Sequence, residues 1–443
     1  MNRNEDGIAA KRLTKNVLSL TLVQIANYVF PIISVPVISR IIGPGKFGLL
    51  NFAVAFVLYF VLLVAYGFDY TATRKISRDP DNEQNRSKVF SEVFYTQCLL
   101  FAAAAIIFTI LLFVVPELRA NKLIFVYTFL TCLATLFTQN WLFQAMQDLS
   151  KVAIFNLVSK ALYTVFVLII VRKNEDYVWQ PLLIGVIQLA ISIWSFTWAL
   201  RKYNIKFIKV SFSRCRQVLG ESRIIFFSLF FANLYTGTNT VILGFYQNAE
   251  QVGYYTAAQR LIVIAQSVLA IPLAQSFYPV AGKAFGEGRE QGLRMIQKLV
   301  PLIVIFLGIA SVGMFLFGPL VIQLFYGHKF APAIPAFRLL AIVPLFYMLN
   351  NLFGIQVMVN LGMDKIYFRL TALAGVLSVT LNLLTIRQWG YMGTAINWLI
   401  TETFLCILGY TVLRQKGLNP INGRYFRLSV MQEYVLQSLY PKK

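Results

Sequence analysis

Long apolar runs, separated by short polar connections, recur along this chain of 443 residues. A run of about 18 or more apolar residues is typical of a helix that crosses a lipid bilayer. The pattern predicts an all-α integral membrane protein with about twelve transmembrane helices. Their predicted bounds are 16 to 41, 47 to 68, 90 to 115, 121 to 146, 152 to 171, 178 to 200, 223 to 246, 253 to 281, 298 to 317, 333 to 361, 366 to 386 and 391 to 413.

Lysine and arginine are concentrated in alternate connections. Counted with the residues at the span ends, the two termini and the loops after even-numbered spans hold 29 of them, whereas the opposite loops hold 8. An excess of these residues in short loops marks the cytoplasmic side of a membrane protein. We therefore expect both termini to be cytoplasmic.

The overall composition agrees with a membrane protein and argues against a nucleic-acid partner. The chain is 58% hydrophobic and 13% charged, whereas ordinary soluble proteins contain about 25% charged residues. The net charge is +22, but the basic residues are scattered between apolar runs and no nucleic-acid-binding signature accompanies them. Orientation in the membrane and attraction to anionic lipid headgroups explain most of this charge.

A weak internal repeat divides the chain. PGKFGLLNFA opens the second span and AEQVGYYTAA opens the eighth, so that Gly48 and Gly253 correspond. Such an offset suits two six-helix halves of parallel topology. We predict an N-terminal lobe at 1–200, a basic cytoplasmic linker at 201–222, a C-terminal lobe at 223–414 and a cytoplasmic tail at 415–443. Within the tail, the helical spacing of apolar residues at 425–440 predicts a short interfacial helix.

Four cations lie in or next to predicted spans and are candidates for substrate binding: Lys160, Arg260, Arg338 and Arg40. An arginine or lysine at the bilayer centre costs at least about 2.5–3.5 kcal/mol, so by default it faces a cavity or a partner. Lys160 and Arg260 lie too deep to reach the interface easily, which favours a polar cavity around them. Arg338 and Arg40 can also be explained by side chains that snorkel to the interface.

Two carboxylates are candidates for coupling transport to an ion. Glu402 lies in the middle of the last span and is either a group that carries a proton or a buried hydrogen-bonding anchor. Asp69 closes the second span and is either a coupling residue or a cytoplasmic helix cap. The sequence contains a single histidine, His328, and its cysteines have no paired spacing. It therefore predicts neither a metal site nor a disulfide framework. We expect no cofactor, with protons or sodium as coupling ions.

Three stretches resemble bacterial polysaccharide exporters, the Wzx-type O-antigen flippases of the multidrug/oligosaccharidyl-lipid/polysaccharide superfamily. They are PLAQSFYPVAGK (272–283), LFYGHKFAPAIPAFRLLAIVPLF (324–346) and GYMGTAINWLITE (390–402). The resemblance implies two six-helix lobes around a central cavity that opens alternately to each side. It further implies that the protein moves an undecaprenyl-diphosphate-linked oligosaccharide to the outer leaflet of the bacterial inner membrane. Its expected partners are this lipid-linked cargo, membrane lipids and other polysaccharide-assembly proteins.

The family has cationic groups in its cavity, and the resemblance matches Lys160 and Arg260 to them. Spans 1 and 7 depart from the lipid II flippases because they lack a central arginine, which favours a glycan repeat unit as cargo. In place of that arginine, span 1 carries Gln24 and Asn27, and span 7 carries Asn233 and Asn239.

Two alternatives remain open. An extruder of cationic drugs on the same fold would need acidic residues in the N-terminal lobe, but the first six spans contain only Asp69 and Glu92, both near the cytoplasmic edge. A membrane glycan polymerase or ligase would need a sizeable outer loop, and the longest one here has about fifteen residues. We therefore expect a transporter and not an enzyme.

Overall fold

The computed structural model describes residues 2–427, and the side chains of residues 30–234 and 237–427. Every regular element in that part of the chain is helical. The α-helices are α1 (Asn2–Ala65), α2 (Phe68–Ser77), α3 (Glu83–Val114), α4 (Pro116–Ala120), α5 (Lys122–Phe137), α6 (Asn140–Ala145), α7 (Leu149–Ile170), α8 (Trp179–Lys202), α9 (Phe212–Thr236), α10 (Thr238–Tyr246), α11 (Ala249–Ala265), α12 (Ile271–Glu287), α13 (Arg289–Tyr326), α14 (Ala333–Leu340), α15 (Val343–Asn351) and α16 (Asp364–Gln415). Short 3₁₀ turns occupy Asn174–Val178, His328–Phe330 and Gly423–Phe426, and π-helical segments occupy Gln266–Ala270 and Leu352–Val359.

The helices are long and apolar enough to cross a membrane many times. Among the described residues there are nine candidate spans, or ten when the bent pair α9 and α10 is counted as one. Two long helices each contain a break at a glycine with positive φ, Gly43 in α1 (73°) and Gly390 in α16 (51°). Both breaks fall where the sequence predicts a turn between spans. The all-α, multi-pass membrane fold is confirmed, whereas the count of twelve and the cytoplasmic termini stay predictions.

The chain divides into two compact units, Met1–Asn233 and Leu234–Lys443. The residues expected to form a linker, 201–222, lie within the first unit, and α9 begins among them at Phe212. Most of the segment expected to form an interfacial helix, 425–440, lies outside the described residues.

The first unit is held together at one end by aromatic packing. The ring of Phe90 lies 5.9 Å from that of Trp141 and 5.7 Å from that of Phe196, and Phe94 lies 5.2 Å from Phe196. Phe90 and Trp141 are almost fully buried. Because edge-on and tilted ring pairs add stabilisation beyond their buried area, these contacts fix α3, α6 and α8 against one another.

A buried arginine fastens the connections at the same end. Arg86 donates from Nε and Nη2 to the carbonyl oxygen of Tyr203, at 3.0 and 2.7 Å, and from Nη1 to that of Pro80 at 2.7 Å. The Tyr203 hydroxyl donates to Oδ2 of Asp148 at 3.3 Å. Burial raises the pKa of Tyr203, and the negative charge of Asp148 raises it further. The phenol therefore keeps its proton, and the hydrogen bond is present throughout the physiological pH range.

In the second unit, two π-helical segments interrupt the helices that carry the buried core. The first ends at Ala270, two residues before Pro272, and proline has no amide hydrogen to donate and clashes with the carbonyl one turn earlier. The second contains Gly354, where an added Cβ would overlap the ring of Tyr367. Gln356 in this second segment donates to the Ala274 carbonyl at 2.9 Å and so ties it to α12.

Candidate functional site

A polar cavity of about 310 Å³ lies inside the first unit, between α1, α7 and α8. Its polar lining comes from five positions of α7 at helical spacing, together with one residue from each of the other two helices. These residues are Asn156, Ser159, Lys160, Tyr163 and Thr164 on α7, Ser34 on α1 and Gln188 on α8. Because positions i, i+3, i+4, i+7 and i+8 share one helix face, the sequence of α7 itself produces this polar stripe.

A smaller cavity of about 60 Å³ continues the polar stripe. It shares Asn156, Ser159 and Gln188 with the larger cavity, and it adds the hydroxyls of Thr138 and Ser192, which lie 2.8 Å apart. A groove lined by hydroxyl and amide groups can hydrogen-bond a sugar or an anion within an otherwise apolar span.

Lys160 places a positive charge in this cavity near the middle of the membrane-spanning helix. It is the twelfth of the 22 residues of α7 and is partly buried. An ammonium group at this depth is stable only where polar groups or an anion offset its loss of hydration. The sequence prediction of a polar cavity around Lys160 agrees with this geometry.

Arg260 lies in the second unit, on α11, five residues before that helix passes into its π-helical segment. It is partly buried and within electrostatic range of Tyr326, at the end of α13. Tyr326 is 2% exposed, and its ring lies 5.1 Å from that of Phe330. The guanidinium of Arg260 thus lies near the aromatic pair Tyr326 and Phe330 of the second unit.

The two remaining predicted cations lie nearer the surface. Arg338 is partly exposed, donates from Nε to the Phe315 carbonyl at 3.2 Å and lies 5.3 Å from the centre of the Phe315 ring. Arg40 is exposed in α1, three residues before the break at Gly43. Arg338 therefore has a packing role against α13 in addition to any role toward a substrate.

Glu402 is buried in α16, where side-chain amides and an indole surround its carboxyl group. Asn350 donates to Oε2 at 2.7 Å and also to the Glu402 backbone carbonyl at 3.1 Å, while Trp398 donates from Nε1 to Oε1 at 3.4 Å. The charge of Glu402 also acts on three further titratable groups, which are Tyr347, Tyr367 and Cys406. Asn350 and Trp398 are both uncharged donors, and each bonds to a different oxygen of the carboxyl group.

Asp69 lies in a different environment. It is exposed in the first turn of α2, and its backbone carbonyl accepts a hydrogen bond from the Thr73 hydroxyl at 2.6 Å. An acidic residue in the first turn of a helix is stabilised by the helix dipole. The N-cap of α2 is Gly67, and no side chain caps the helix there, so both alternatives for Asp69 stay predictions.

The sequence did not point to a buried polar network in the second unit. Asn239 accepts hydrogen bonds from Asn382 at 2.9 Å and from Ser378 at 3.3 Å, and its amide lies 3.4 Å from the Tyr255 hydroxyl. These side chains are uncharged and scattered over 144 residues, so only the pairing of α10, α11 and α16 brings them together. In the sequence, the signal that could have indicated this network was the presence of asparagines inside apolar spans.

Among the residues that the structure describes, no three histidine, cysteine or acidic residues are grouped so that they could hold a metal ion.

Comparison with known proteins shows relatives along nearly the whole chain. Residues 13–285 match the family model described as "Polysaccharide biosynthesis protein". The chain is 26% identical over 407 residues to a proposed O-antigen transporter of Escherichia coli (strain K12), covering 92% of this chain and 98% of the relative. A proposed O-antigen transporter of Shigella dysenteriae is 25% identical over 399 residues, covering 89% and 98%.

Two solved structures show the same fold. The lipid II flippase MurJ in an inward closed conformation gives a TM-score of 0.71 at 12% identity, covering 97% of this chain and 92% of that one. An inward-facing multidrug resistance transporter of the MATE family gives 0.65 at 15% identity, covering 90% and 98%. The resemblance stated from the sequence is confirmed, and the chain groups with transporters and not with enzymes.

Proposed function

The chain belongs to the polysaccharide biosynthesis protein family, and from this premise we propose that it is a flippase for an undecaprenyl-diphosphate-linked oligosaccharide. It moves this cargo from the cytoplasmic to the outer leaflet of the bacterial inner membrane by alternating access, for assembly of O-antigen or capsule. The names of its relatives support a polysaccharide cargo. The observation that carries the proposal is the polar cavity around Lys160.

The chemistry of the cargo fits that cavity. A diphosphate carries about two negative charges and cannot cross hydrocarbon unless other groups replace its hydration. The Lys160 ammonium supplies a charge-assisted hydrogen bond, and Asn156, Ser159 and Gln188 supply neutral donors for phosphate or sugar oxygens. The lipid tail can remain in the bilayer while the polar part is transferred.

Arg260 is proposed to bind the diphosphate as well. Its planar guanidinium can pair with two phosphate oxygens at once, whereas Lys160 acts as a point charge. Arg338 and Arg40, near the predicted outer ends of spans 10 and 1, are proposed to bind the anionic cargo on the outer side. The four cations are therefore proposed to act at different depths in the membrane and with different binding geometries.

Glu402 is proposed to couple transport to a proton gradient, with sodium as the alternative ion, and Asp69 is a weaker candidate. A group that binds a proton in one state of a transporter and releases it in the other biases the equilibrium between the two states. The burial of the Glu402 carboxyl inside a membrane-spanning helix supports this role, because a proton can neutralise a charge that is costly at this depth. No cofactor is needed for such a cycle.

A cationic-drug extruder is the main competing function. Such a protein would need carboxylates in its binding cavity, but the residues that line the described cavity of the first unit include a lysine and no acidic group. A glycan polymerase or ligase is disfavoured because both relatives are named as transporters.

Reconstitution of the purified protein into vesicles separates these functions. A fluorescent undecaprenyl-diphosphate oligosaccharide should become accessible to an external quencher faster than in protein-free vesicles, and a cationic dye should not be moved. Transport of the dye without the lipid-linked sugar would refute the proposal. In a deletion strain, mass spectrometry should find the lipid-linked repeat unit accumulating as a single unit, and its sugar composition identifies the cargo.

A further inference from the structure

The connection between α8 and α9 forms a groove with α3 that the transport function does not use. Residues 205–211 form neither helix nor strand, and the amides of Lys206 and Ile208 donate to the hydroxyls of Ser87 at 3.1 Å and Ser91 at 2.9 Å. Four helical residues rise about 6 Å and two extended residues about 6.6 Å. The distance from Ser87 to Ser91 along α3 thus matches the distance between every second amide of the connection. Each of the two serines therefore binds one of these amides.

The groove beside this connection has a volume of about 580 Å³, within the usual range of about 300–1,000 Å³ for a ligand pocket. We call it the linker groove. Its lining comes from one face of α3 and from the connection with the first turn of α9. The lining residues are Gln84, Lys88, Glu92, Ile208, Lys209, Val210, Ser211 and Arg214.

The floor of the linker groove is an ion pair. Arg214 donates from Nε to Oε1 of Glu92 at 2.8 Å and from Nη2 to Oε2 at 3.0 Å, and its Nη1 lies 3.5 Å from Glu221. Glu92 is only 5% exposed, so its charge is neutralised within the protein. Lys88 and Lys209 are both exposed. The lining thus presents two lysine charges to any ligand.

Apolar side chains lie beside these cations. Phe212 is 73% exposed and Phe207 is 48% exposed, although the Phe207 ring also contacts those of Phe90 and Phe94. Large aromatic residues next to lysines are typical of the membrane–water interface, where rings lie at the level of the lipid headgroups. A soluble anion would leave these rings in water.

The length of α3 places the groove at that level. Its 32 residues span about 48 Å at 1.5 Å per residue, whereas the hydrocarbon core of a bilayer is about 30 Å thick. The surplus leaves the polar first turns of α3, which carry Gln84 and Lys88, in the headgroup layer. Basic pockets at this depth bind anionic lipid headgroups.

We propose that the linker groove binds the headgroup of an anionic phospholipid of the adjacent leaflet. The ammonium groups of Lys88 and Lys209 pair with the lipid phosphate, and Ser211 and Gln84 hydrogen-bond the polar headgroup. Phe207 and Phe212 contact the start of the acyl chains. This inference does not rest on the proposed transport function.

Binding of phosphatidylglycerol to the purified full-length protein in detergent tests the proposal, with native mass spectrometry as the readout. The variant K88Q/K209Q removes both lysine charges, and K365Q/K416Q removes two exposed lysine charges in the second unit as a matched control. The first double variant should bind phosphatidylglycerol roughly 30-fold more weakly, since two basic residues near the surface contribute about 1 kcal/mol each and 1.4 kcal/mol is tenfold. The control should stay within roughly twofold of the wild type.

Two further arms decide what occupies the groove. The variant K88R/K209R should restore binding, and cross-links from a photoactivatable phosphatidylglycerol should map to 84–92 and 205–214. Equal binding by K88Q/K209Q and the wild type, or equal losses in the two glutamine variants, would overturn the proposal. It would also be overturned if undecaprenyl diphosphate bound in a lysine-dependent manner and phosphatidylglycerol did not.

Discussion

Asn350 donates its side-chain amide to the carboxylate of Glu402 over 2.7 Å, and the same amide also bonds to the Glu402 backbone carbonyl. The contact joins α15 to the part of α16 that follows the break at Gly390. Glu402 is 3% exposed, and the amide of Asn350 holds its carboxyl group in place inside the second unit.

Glu402→Gln is therefore expected to fold normally and to remove the pH dependence of transport. Glutamine keeps an acceptor oxygen for Asn350, but it cannot take up or release a proton. Flipping rates measured in vesicles between pH 6 and pH 8 should become independent of pH. Glu117→Gln, at an exposed position, serves as the control and should behave as the wild type. If the pH dependence persists in Glu402→Gln, Glu402 is a structural anchor only.

Gly67→Ala should destabilise the first unit. Gly67 has a φ of 76°, and an added Cβ would lie 2.7 Å from Cγ2 of Ile225. The left-handed conformation and the overlap together predict a loss of roughly 2–4 kcal/mol. Thermal unfolding in detergent measures this effect, and Gly286→Ala, which meets nothing within 4 Å, is the matched control.

The double variant G67A/I225A should differ from I225A alone by less than G67A differs from the wild type. Equal differences would exclude the steric explanation.

Arg214→Ala should lower stability more than Arg216→Ala does. Removing Arg214 leaves the nearly buried carboxylate of Glu92 without its bidentate partner. Loss of a hydrogen-bonding partner to a buried charged group costs roughly 1–3 kcal/mol, and Arg214 is itself 31% exposed, so the lower part of this range applies. Arg216 is exposed two residues further along α9. Similar melting temperatures for the two variants would show that the ion pair contributes little.

The orientation in the membrane is testable from the two ends of α3. Asn85 lies in its first turn, and Asn121 follows the short helix α4 after its last turn. Single cysteines at these positions, in a chain without its four native cysteines, should label from the cytoplasmic side at position 85 and from outside at position 121. The reverse labelling pattern would contradict the prediction from the basic residues.

The sequence predicted the fold, and it identified charged candidates for the site more readily than uncharged ones. Lys160, Arg260 and Glu402 could be identified because a charge inside an apolar span needs an explanation. Asn156 and Gln188 could not, since uncharged polar residues are common in spans and only the packing of α7 against α8 brings these two together.

Contacts between residues far apart in the chain could not be predicted from the sequence either. Arg214 and Glu92 are separated by 122 residues, and no local pattern predicts their ion pair. The residues expected to form a separate linker instead pack on α3, because the serines of that helix bind the backbone of the connection. The glycine breaks at Gly43 and Gly390, by contrast, fall where hydropathy already predicted turns.

Lys160 in the first unit and Arg260 in the second are each proposed to be needed for transport of a lipid-linked oligosaccharide. The most direct test of this claim is the flipping rate of labelled cargo in vesicles, normalised to folded protein, for Arg260→Gln, Arg260→Lys, Lys160→Ala and Lys160→Arg. The exposed Arg387→Gln is the matched control. Arg260→Gln should reduce the rate roughly tenfold or more, because hydrogen bonds to charged groups contribute about 1.5–3 kcal/mol and 1.4 kcal/mol is tenfold. Arg260→Lys should keep a partial rate, and Lys160→Arg should be tolerated better than Lys160→Ala. Wild-type flipping by a normally inserted Arg260→Gln would contradict the account.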